Sequence, residues 1–542
     1  MSAVTIRTGA RALLLGVTAC GPVGDGSADA GSAPPGGYDP PAIQIDGRFE
    51  DWQSPPKDAS AAPVEVAADA TTPVGLDLAA DGAAVYLRLA LNRPANMQGL
   101  ERTLILAIDT DGDPATGGTV GPLDGAELAI HFSPASAAAP GAPGEGAAAV
   151  RIDERGSTRL DPHSVGLMFE PRTTTSQIEV RISRGHTPED GSPSFEGTRF
   201  RAVAGVLGAD DAIMQATAVA EAPLPEPLSV IPTGDPSRAP DSDLRVVVWN
   251  VAGSRIRERP AAFARVINLL DPDLLLLDEV LPESADRALL PLFEELERLE
   301  AARAGTAPHA AWGVHAGVSG GRQRQVIAVR GGAVRAIDGL ARIPYPDSAL
   351  AVLAQGSGVR VAEVTALAHS GGIPVTAALV DLDGRRILAA SLDLVCCGNR
   401  PTAVEDRIRR VEAAEIAAAL QRAREQGADA VIVGGDFNLV GSAVPLVTMR
   451  TGTDVDGTDL AIVEALQLDG ASSATWDFGS GPFSPGQLDY ALYSDATLEV
   501  RRAFVLELRD VAPPLLAAAG LGRGDQRELS DHRPIVVDLA WR

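Results

Sequence analysis

Six prolines stand between Ala222 and Ser242 (Pro223, Pro225, Pro227, Pro232, Pro236 and Pro240), and the hydrophobic patterning of the chain differs on either side of them. Proline fixes φ and removes a backbone donor, so this stretch suits neither a helix nor a central strand; residues 223–242 read as a stiff linker. The 542 residues therefore divide into separate folding problems, as expected of a chain well beyond the size, about 250–300 residues, at which single cores stop growing.

Before the linker, over residues 42–222, short β-rich runs recur between turn residues: Val85–Leu91, Thr103–Ile108, Glu127–Phe132 and Gln177–Ile182. Period-2 patterning without a long helical stretch predicts an all-β sandwich. Its opening, Ile45-Asp46-Gly47-Arg48-Phe49-Glu50-Asp51-Trp52, resembles the start of β-sandwich modules related to carbohydrate-binding families, which implies a carbohydrate or surface polymer as partner. Within it, Asp109-Thr110-Asp111-Gly112-Asp113 follows a strand directly. Carboxylates at alternate positions, Asp109, Asp111 and Asp113, are able to converge on a structural Ca2+, with Asp124 and Glu127 near in sequence. The full EF-hand pattern is absent, and a solvated acidic turn explains the same residues.

After the linker, over residues 243–542, strands alternate with helices. Leu244–Trp249 is an apolar strand ending at Asn250, and Pro260–Leu270 reads as a helix with proline in its first turn. Asp273–Leu277 is a buried strand whose far end carries Asp278 and Glu279. Thr402-Ala403-Val404-Glu405 reads as a capping box opening a helix that Gly427 closes. Ala430–Val433 delivers Gly434-Gly435-Asp436-Phe437-Asn438, and the last strand, Ile535–Leu539, follows Ser530-Asp531-His532-Arg533-Pro534. Polar residues keep appearing where strands run out, which is where a scaffold of this kind aims reactive side chains.

At the other end of the chain, Arg7 and Arg11 precede the apolar run Ala12–Val17, too short for the roughly 20 apolar residues a bilayer span needs. Basic residues, an apolar run and small residues describe an export signal over residues 1–20. Val17-Thr18-Ala19-Cys20 resembles the lipobox of bacterial lipoproteins, which implies lipidation of Cys20 and an exported, membrane-anchored protein of the bacterial cell envelope, periplasmic or on the cell surface. Residues 21–41, rich in Gly, Ala, Ser, Pro and Asp, read as a flexible tether.

The polar strand ends form an ordered set: Val248-Trp249-Asn250, Leu277-Asp278-Glu279-Val280, Gly435-Asp436-Phe437-Asn438, Gln487-Leu488-Asp489-Tyr490 and Ser530-Asp531-His532. Together they resemble the endonuclease/exonuclease/phosphatase superfamily of DNase I-like nucleases, sphingomyelinases and inositol-phosphate phosphatases. The resemblance implies an α/β (α+β) four-layer sandwich of two mixed β-sheets flanked by helices, following the β-sandwich. It implies hydrolysis of a phosphate ester by in-line attack of water, with Glu279 on a metal ion, Asp531 at the same site and Asn250 fixing its geometry. It also implies that Asp489 partners His532, that Asp436 orients the attacking water and that Asn438 donates a hydrogen bond at phosphorus. Oxygen donors of this kind suit Mg2+ or Mn2+, and the absence of a Cys/His cluster disfavours zinc. Residue chemistry leaves open whether His532 or Asp436 is the formal base. The other six histidines lie outside any motif.

One departure stands out. Many family members carry a His near the scissile phosphate where this chain has Ser391-Leu392-Asp393-Leu394. An ionised carboxylate there repels phosphate unless it binds metal or is protonated. Close by, Cys396-Cys397 lacks metal-site spacing and reads as a structural loop with its redox state open. The formal net charge is −26. Residues 243–542 hold 30 Arg and 40 Asp+Glu, a net of −10, leaving by difference 16 Lys+Arg and 32 Asp+Glu, a net of −16, for the rest. Such a balance opposes a protein held on nucleic acid by a broad basic surface, although Arg255, Arg257 and Arg259 flank Asn250. Aromatic residues are only 4%, which argues against a lipid-gripping surface. The expected substrate is a phosphate ester (nucleic acid, lipid head group or sugar phosphate). The rival readings are an extracellular nuclease and a surface binding protein with an impaired site.

Overall fold

The computed structural model describes residues 43–542, apart from 54–58, 62–70, 135–143, 154–155, 186–194, 209–211, 229–232, 282–284, 305–310, 322, 338, 358 and 369–370. The export signal, Cys20 and the tether lie outside the described residues. No described helix is long and apolar enough to cross a membrane.

The N-terminal region is built from a five-stranded and a seven-stranded sheet, all of whose pairs are antiparallel. Alternate residues of their strands, such as Leu76, Leu87, Leu89 and Val180 from one and Leu106, Ile108, Ile130 and Phe132 from the other, meet in a single core. That is the β-sandwich the period-2 runs call for. The Ile45–Trp52 motif opens it as a structural clasp: Glu179 accepts from the Asp46 and Gly47 amides at 2.8 and 2.6 Å and from Trp52 Nε1 at 3.2 Å. Trp52 is buried, so its ring is packing rather than a ligand platform.

The C-terminal region has two mixed six-stranded sheets. In the first, Leu244–Gly253 pairs in parallel with Leu274–Val280 and antiparallel with Ile535–Trp541. In the second, Arg385–Asp393 pairs in parallel with Ala430–Asp436, which pairs antiparallel with Asp489–Tyr493. The sheets face each other across an apolar layer containing Val246, Val248, Leu276, Ala378, Ala389 and Ile432. Outside the first sheet lie Pro260–Leu270 and Ala285–Ala304, and outside the second lies Val404–Arg424, giving four layers. Gly434 permits the close approach of the sheets, since a Cβ there would lie 2.5 Å from Val248 Cγ2. The Val404–Arg424 helix departs from the expected capping box: its N-cap is Ala403, and no side chain caps it. Asp406, buried in the first turn, instead pairs with Arg409 and Arg410.

The proline-rich stretch is fastened to both regions. Leu228 N donates to Gly82 O at 2.9 Å, Gly234 N to Asp510 O at 2.6 Å and Ala239 N to an Asp538 carboxylate oxygen at 2.8 Å. Beyond it, the sandwich and the C-terminal region pack together within one unit, Gly37–Arg542. Asn96 Nδ2 donates to Arg172 O and to Val440 O at 2.8 and 2.6 Å. Gln487 N donates to Glu170 at 2.7 Å, and His163 Nδ1 lies 3.2 Å from Asp477.

Candidate active site

The site begins with irregularity in the first sheet. Asn250 lies opposite Asp278 in parallel register, and pairing then slips until Gly253 meets Val280. On its other side the Leu274–Val280 strand slips again between Leu277 and Val280, so Asp278 and Glu279 occupy a bulge. A bulge re-aims side chains at the edge of a sheet. Glu279 takes a left-handed backbone, φ 55°, which costs a side-chain-bearing residue roughly 1–2 kcal/mol. Asn250 is buried; its Oδ1 accepts from Ala252 N at 3.0 Å, while Nδ2 makes no hydrogen bond of good geometry. The amide still lies near enough to Glu279 to favour that carboxylate's charged form, against the burial that raises its pKa.

The second sheet supplies a row of carboxyls. Asp393, Asp436 and Asp489 stand opposite one another on three neighbouring strands, where facing side chains are about 5 Å apart. Asn438 follows with φ 50°, a conformation asparagine tolerates. Its amide N–H donates to Asp436 Oδ1 at 2.8 Å, and its Nδ2 donates to Leu394 O at 2.8 Å and towards Asp393 Oδ1 at 3.4 Å.

His532 closes the gap between the sheets. Its Nδ1 lies 2.8 Å from Asp489 Oδ2, and its Nε2 lies 3.8 Å from Asp436 Oδ2. The backbone holding it is fixed by Trp249 Nε1 and Gln526 Nε2, which donate to His532 O at 3.1 and 3.0 Å. Ser530 Oγ accepts from His532 N at 2.9 Å and donates to Asn250 O at 2.8 Å, tying the two motifs together. Asp531, half-buried, accepts from Trp476 Nε1 at 3.1 Å.

Electrostatically the site is crowded with negative groups. Burial, and then Asp489, push Asp436 up to about 7. Burial and Asp436 push Asp393 well above the usual carboxylate range. Burial alone would lower His532, but Asp489 and Asp436 outweigh it and push the imidazole up to about 10. Asp278, absent from the motif-based site set, is wholly buried with neither carboxyl oxygen hydrogen-bonded, and burial and Asp393 raise it strongly. The Asp-Glu doublet at a strand end was its only sequence signal.

The donor set fits a hard divalent cation. Both Asp278 oxygens and Asp489 Oδ1 are buried without hydrogen bonds, and Asp531 and Asp489 raise the Glu279 pKa by their charge. A cation relieves each of these costs. The side chains brought closest together are Asp436, Asp489 and His532, whose ligand atoms lie within 4.8 Å. No corresponding set is formed by Glu279 and Asp531 with a third acidic or imidazole side chain among the described residues.

In the sandwich, Asp109, Asp111 and Glu127 are likewise brought within 4.8 Å, with Glu127 rather than Asp113 as third member. Asp109 is already taken by a forked pair with Arg201, and Asp113 accepts from Ala115 N at 2.9 Å within its own turn. Cys396 and Cys397 are exposed free thiols. Of the arginines flanking Asn250, Arg259 pairs with Glu528, and Arg255 donates to Arg527 O at 3.1 Å.

A family model described as the Endonuclease/Exonuclease/phosphatase family matches residues 247–532, more than half of the chain. No curated protein matches it. Among solved structures the chain is similar to the human Nocturnin catalytic domain with bound sulfate, at 18% identity over 56% of this chain and 97% of that one, TM-score 0.35. It is similar to an endonuclease/exonuclease/phosphatase from Bacteroides vulgatus, at 14% identity over 55% and 99%, TM-score 0.34. It is also similar to D. rerio TDP2 complexed with single-strand DNA product, at 15% identity over 55% and 98%, TM-score 0.32.

Proposed function

The chain belongs to the endonuclease/exonuclease/phosphatase family, and from that premise we propose that it hydrolyses a phosphate ester with a divalent cation, at the cleft where the strand ends of its two sheets meet. The observation that carries this reading is the His532–Asp489 contact of 2.8 Å beside Asp436. An imidazole fixed by one carboxylate and facing another is an arrangement for moving protons.

In the reading we favour, Asn250, Glu279 and Asp531 would hold Mg2+ or Mn2+, which would supply charge neutralisation at the phosphoryl oxygens and the departing alkoxide. Asp436, pushed up to about 7, is matched to neutral pH and takes the proton of the attacking water. His532, pushed up to about 10, is an imidazolium at that pH and acts through Nε2–H on a phosphoryl oxygen rather than as the base. Asn438 Nδ2 would offer a further donor by giving up its long 3.4 Å approach to Asp393 Oδ1. Asp393, raised well above the carboxylate range, is neutral and retains an O–H where relatives place an imidazole.

The test uses the full-length protein with DNA, RNA, sphingomyelin, an inositol phosphate and an aryl phosphodiester, each with and without Mg2+ or Mn2+. Metal-dependent turnover lost in His532→Ala supports the reading. Turnover of none of these above that variant rejects it and favours a binding protein, the reading that Asp393 in place of a histidine also favours. We further propose that the protein is anchored by lipid at Cys20, on the strength of the Val17–Cys20 motif and the tether that follows. Equal labelling of native protein and Cys20→Ala by a lipid precursor would reject the anchor.

A further inference from the structure

Beside the reaction centre lies a cleft of about 250 Å3 whose walls include Asp531, Arg509, Arg523, Arg527 and Arg533. The same walls hold Asp477 and Glu507, but those carboxylates are spent. Arg533 reaches Asp477 at 2.9 Å and Glu507 at 2.6 Å, and Arg509 reaches Glu507 at 3.2 Å. His163 adds a contact to Asp477 at 3.2 Å from the sandwich. Arg523 and Arg527 are different: both are exposed, and neither has a carboxylate partner among the described residues. The Arg527 guanidinium covers Gly479, where a Cβ would lie 3.0 Å from its Cζ and where φ is +80°. Arg533, although buried, keeps Nη1 without a hydrogen bond.

In a chain with a net charge of −26, two arginines left uncompensated in one cleft stand out. An anion entering that cleft meets two guanidiniums not engaged by carboxylates, and a guanidinium is the side chain best suited to a phosphate. The cleft also reaches Asp531, one of the residues assigned above to the reaction centre.

We propose that Arg523 and Arg527 bind a second phosphate of the substrate, so that the preferred substrate is an ester bearing a further phosphate near the scissile one. This rests on the phosphoesterase reading of the same site, and it makes a substrate with a single zwitterionic phosphate a poor fit. A nucleotide chain and a sugar bisphosphate share the required chemistry.

The experiment compares thymidine 5′-(4-nitrophenyl phosphate) with the same ester carrying a 3′-phosphate, using full-length protein and Mg2+ or Mn2+. For the wild type the second phosphate should lower KM. In the double variant Arg523→Gln, Arg527→Gln, the rise in KM on the two-phosphate ester should exceed that on the one-phosphate ester by about tenfold, with kcat on the two-phosphate ester preserved. Equal effects on the two esters overturn the proposal. Phosphate release from glucose 1,6-bisphosphate against glucose 1-phosphate distinguishes a sugar source from a nucleotide one. Calorimetric binding of thymidine 3′,5′-bisphosphate against thymidine 5′-phosphate separates this proposal from the catalytic one. Tighter binding of the bisphosphate, lost in the double variant, supports the cleft even if neither ester is hydrolysed; equal affinities reject it.

Discussion

Asn438 bridges Asp393 and Asp436, donating its backbone N–H to Asp436 Oδ1 at 2.8 Å and its Nδ2 towards Asp393 Oδ1 at 3.4 Å. Two buried carboxyls held by one asparagine cannot both carry charge cheaply, and burial with Asp436 raises Asp393 well above the usual carboxylate range. If its neutral O–H does the work of the missing imidazole, Asp393→Asn, which keeps a neutral donor, should hold kcat/KM within about threefold, while Asp393→Ala should lose roughly 10- to 100-fold. Steady-state rates on the best substrate of the panel decide. A silent Asp393→Ala variant would remove Asp393 from the mechanism.

The 2.8 Å contact between Asp489 and His532 raises the imidazole pKa as well as orienting the ring. Asp489→Asn should therefore bring His532 down from about 10 by more than a unit towards the ordinary 6.5, as read by histidine NMR titration. The rate should fall by about 10²–10³, the range for losing a positioned donor at developing negative charge. An unshifted titration would show that Asp436 and Asp531, not Asp489, hold the imidazole up.

Much of this site was legible because its residues fall within short motifs at strand ends. Asn250, Glu279, Asp436, Asn438, Asp489, Asp531 and His532 each follow or begin a buried apolar run, so a reading of strands already points them to one edge. The helix Pro260–Leu270 was equally legible, with proline in its first turn and an apolar stripe. What the sequence hid depends on sheet register and on contacts distant along the chain. Asp278 becomes a buried, unpartnered carboxyl only because a bulge turns it inward beside Glu279. The linker's composition gave no sign that Gly234 and Ala239 would hydrogen-bond to the last segments of the chain. Nor does any local pattern announce that His163 meets Asp477, more than 300 residues away.

That long-range packing has a measurable consequence. Asn96 of the sandwich satisfies the carbonyl of Val440, two residues beyond Asn438, and Glu170 accepts from Gln487, two residues before Asp489. The sandwich thus buttresses loops that carry side chains of the candidate site. Asn96→Ala, which strips partners from two backbone carbonyls, should cost about 1–3 kcal/mol of stability and lower kcat as well. Scanning calorimetry should show both regions melting in one transition. Two transitions, with only the first moved by the substitution and kcat unaffected, would show the sandwich to be an independent passenger.

A divalent cation should stabilise the fold because it relieves the buried carboxyls around Glu279. At 100 times its Kd, a ligand specific for the native state adds about 2.7 kcal/mol, visible as a rise in Tm. Glu279→Ala and Glu279→Gly should both lose most of that rise. They should differ from each other without metal, since φ is 55° at this position: the glycine variant should be the more stable by about 1 kcal/mol. Equal Tm gains from cation in wild type and both variants would move the metal away from Glu279.

The buried pair of Arg533 and Glu507 contributes to stability in acid. Burial would raise Glu507, but Arg533 at 2.6 Å and Arg509 bring it down to about 2, against an ordinary 4.5. A carboxyl depressed in the folded state binds its proton more readily when unfolded. Its contribution is therefore complete above about pH 4.5 and is lost as pH falls towards 2. A shift of this size corresponds to on the order of 3 kcal/mol. Glu507→Gln should accordingly be markedly less stable than wild type in urea at pH 7, and the gap should narrow at pH 4 and again at pH 3. Because the same Arg533 sits beside His532 in the chain, the variant should also weaken activity at neutral pH. A stability gap that stays constant from pH 7 to pH 3 would mean that the substitution acts through packing alone and that the ion pair contributes nothing.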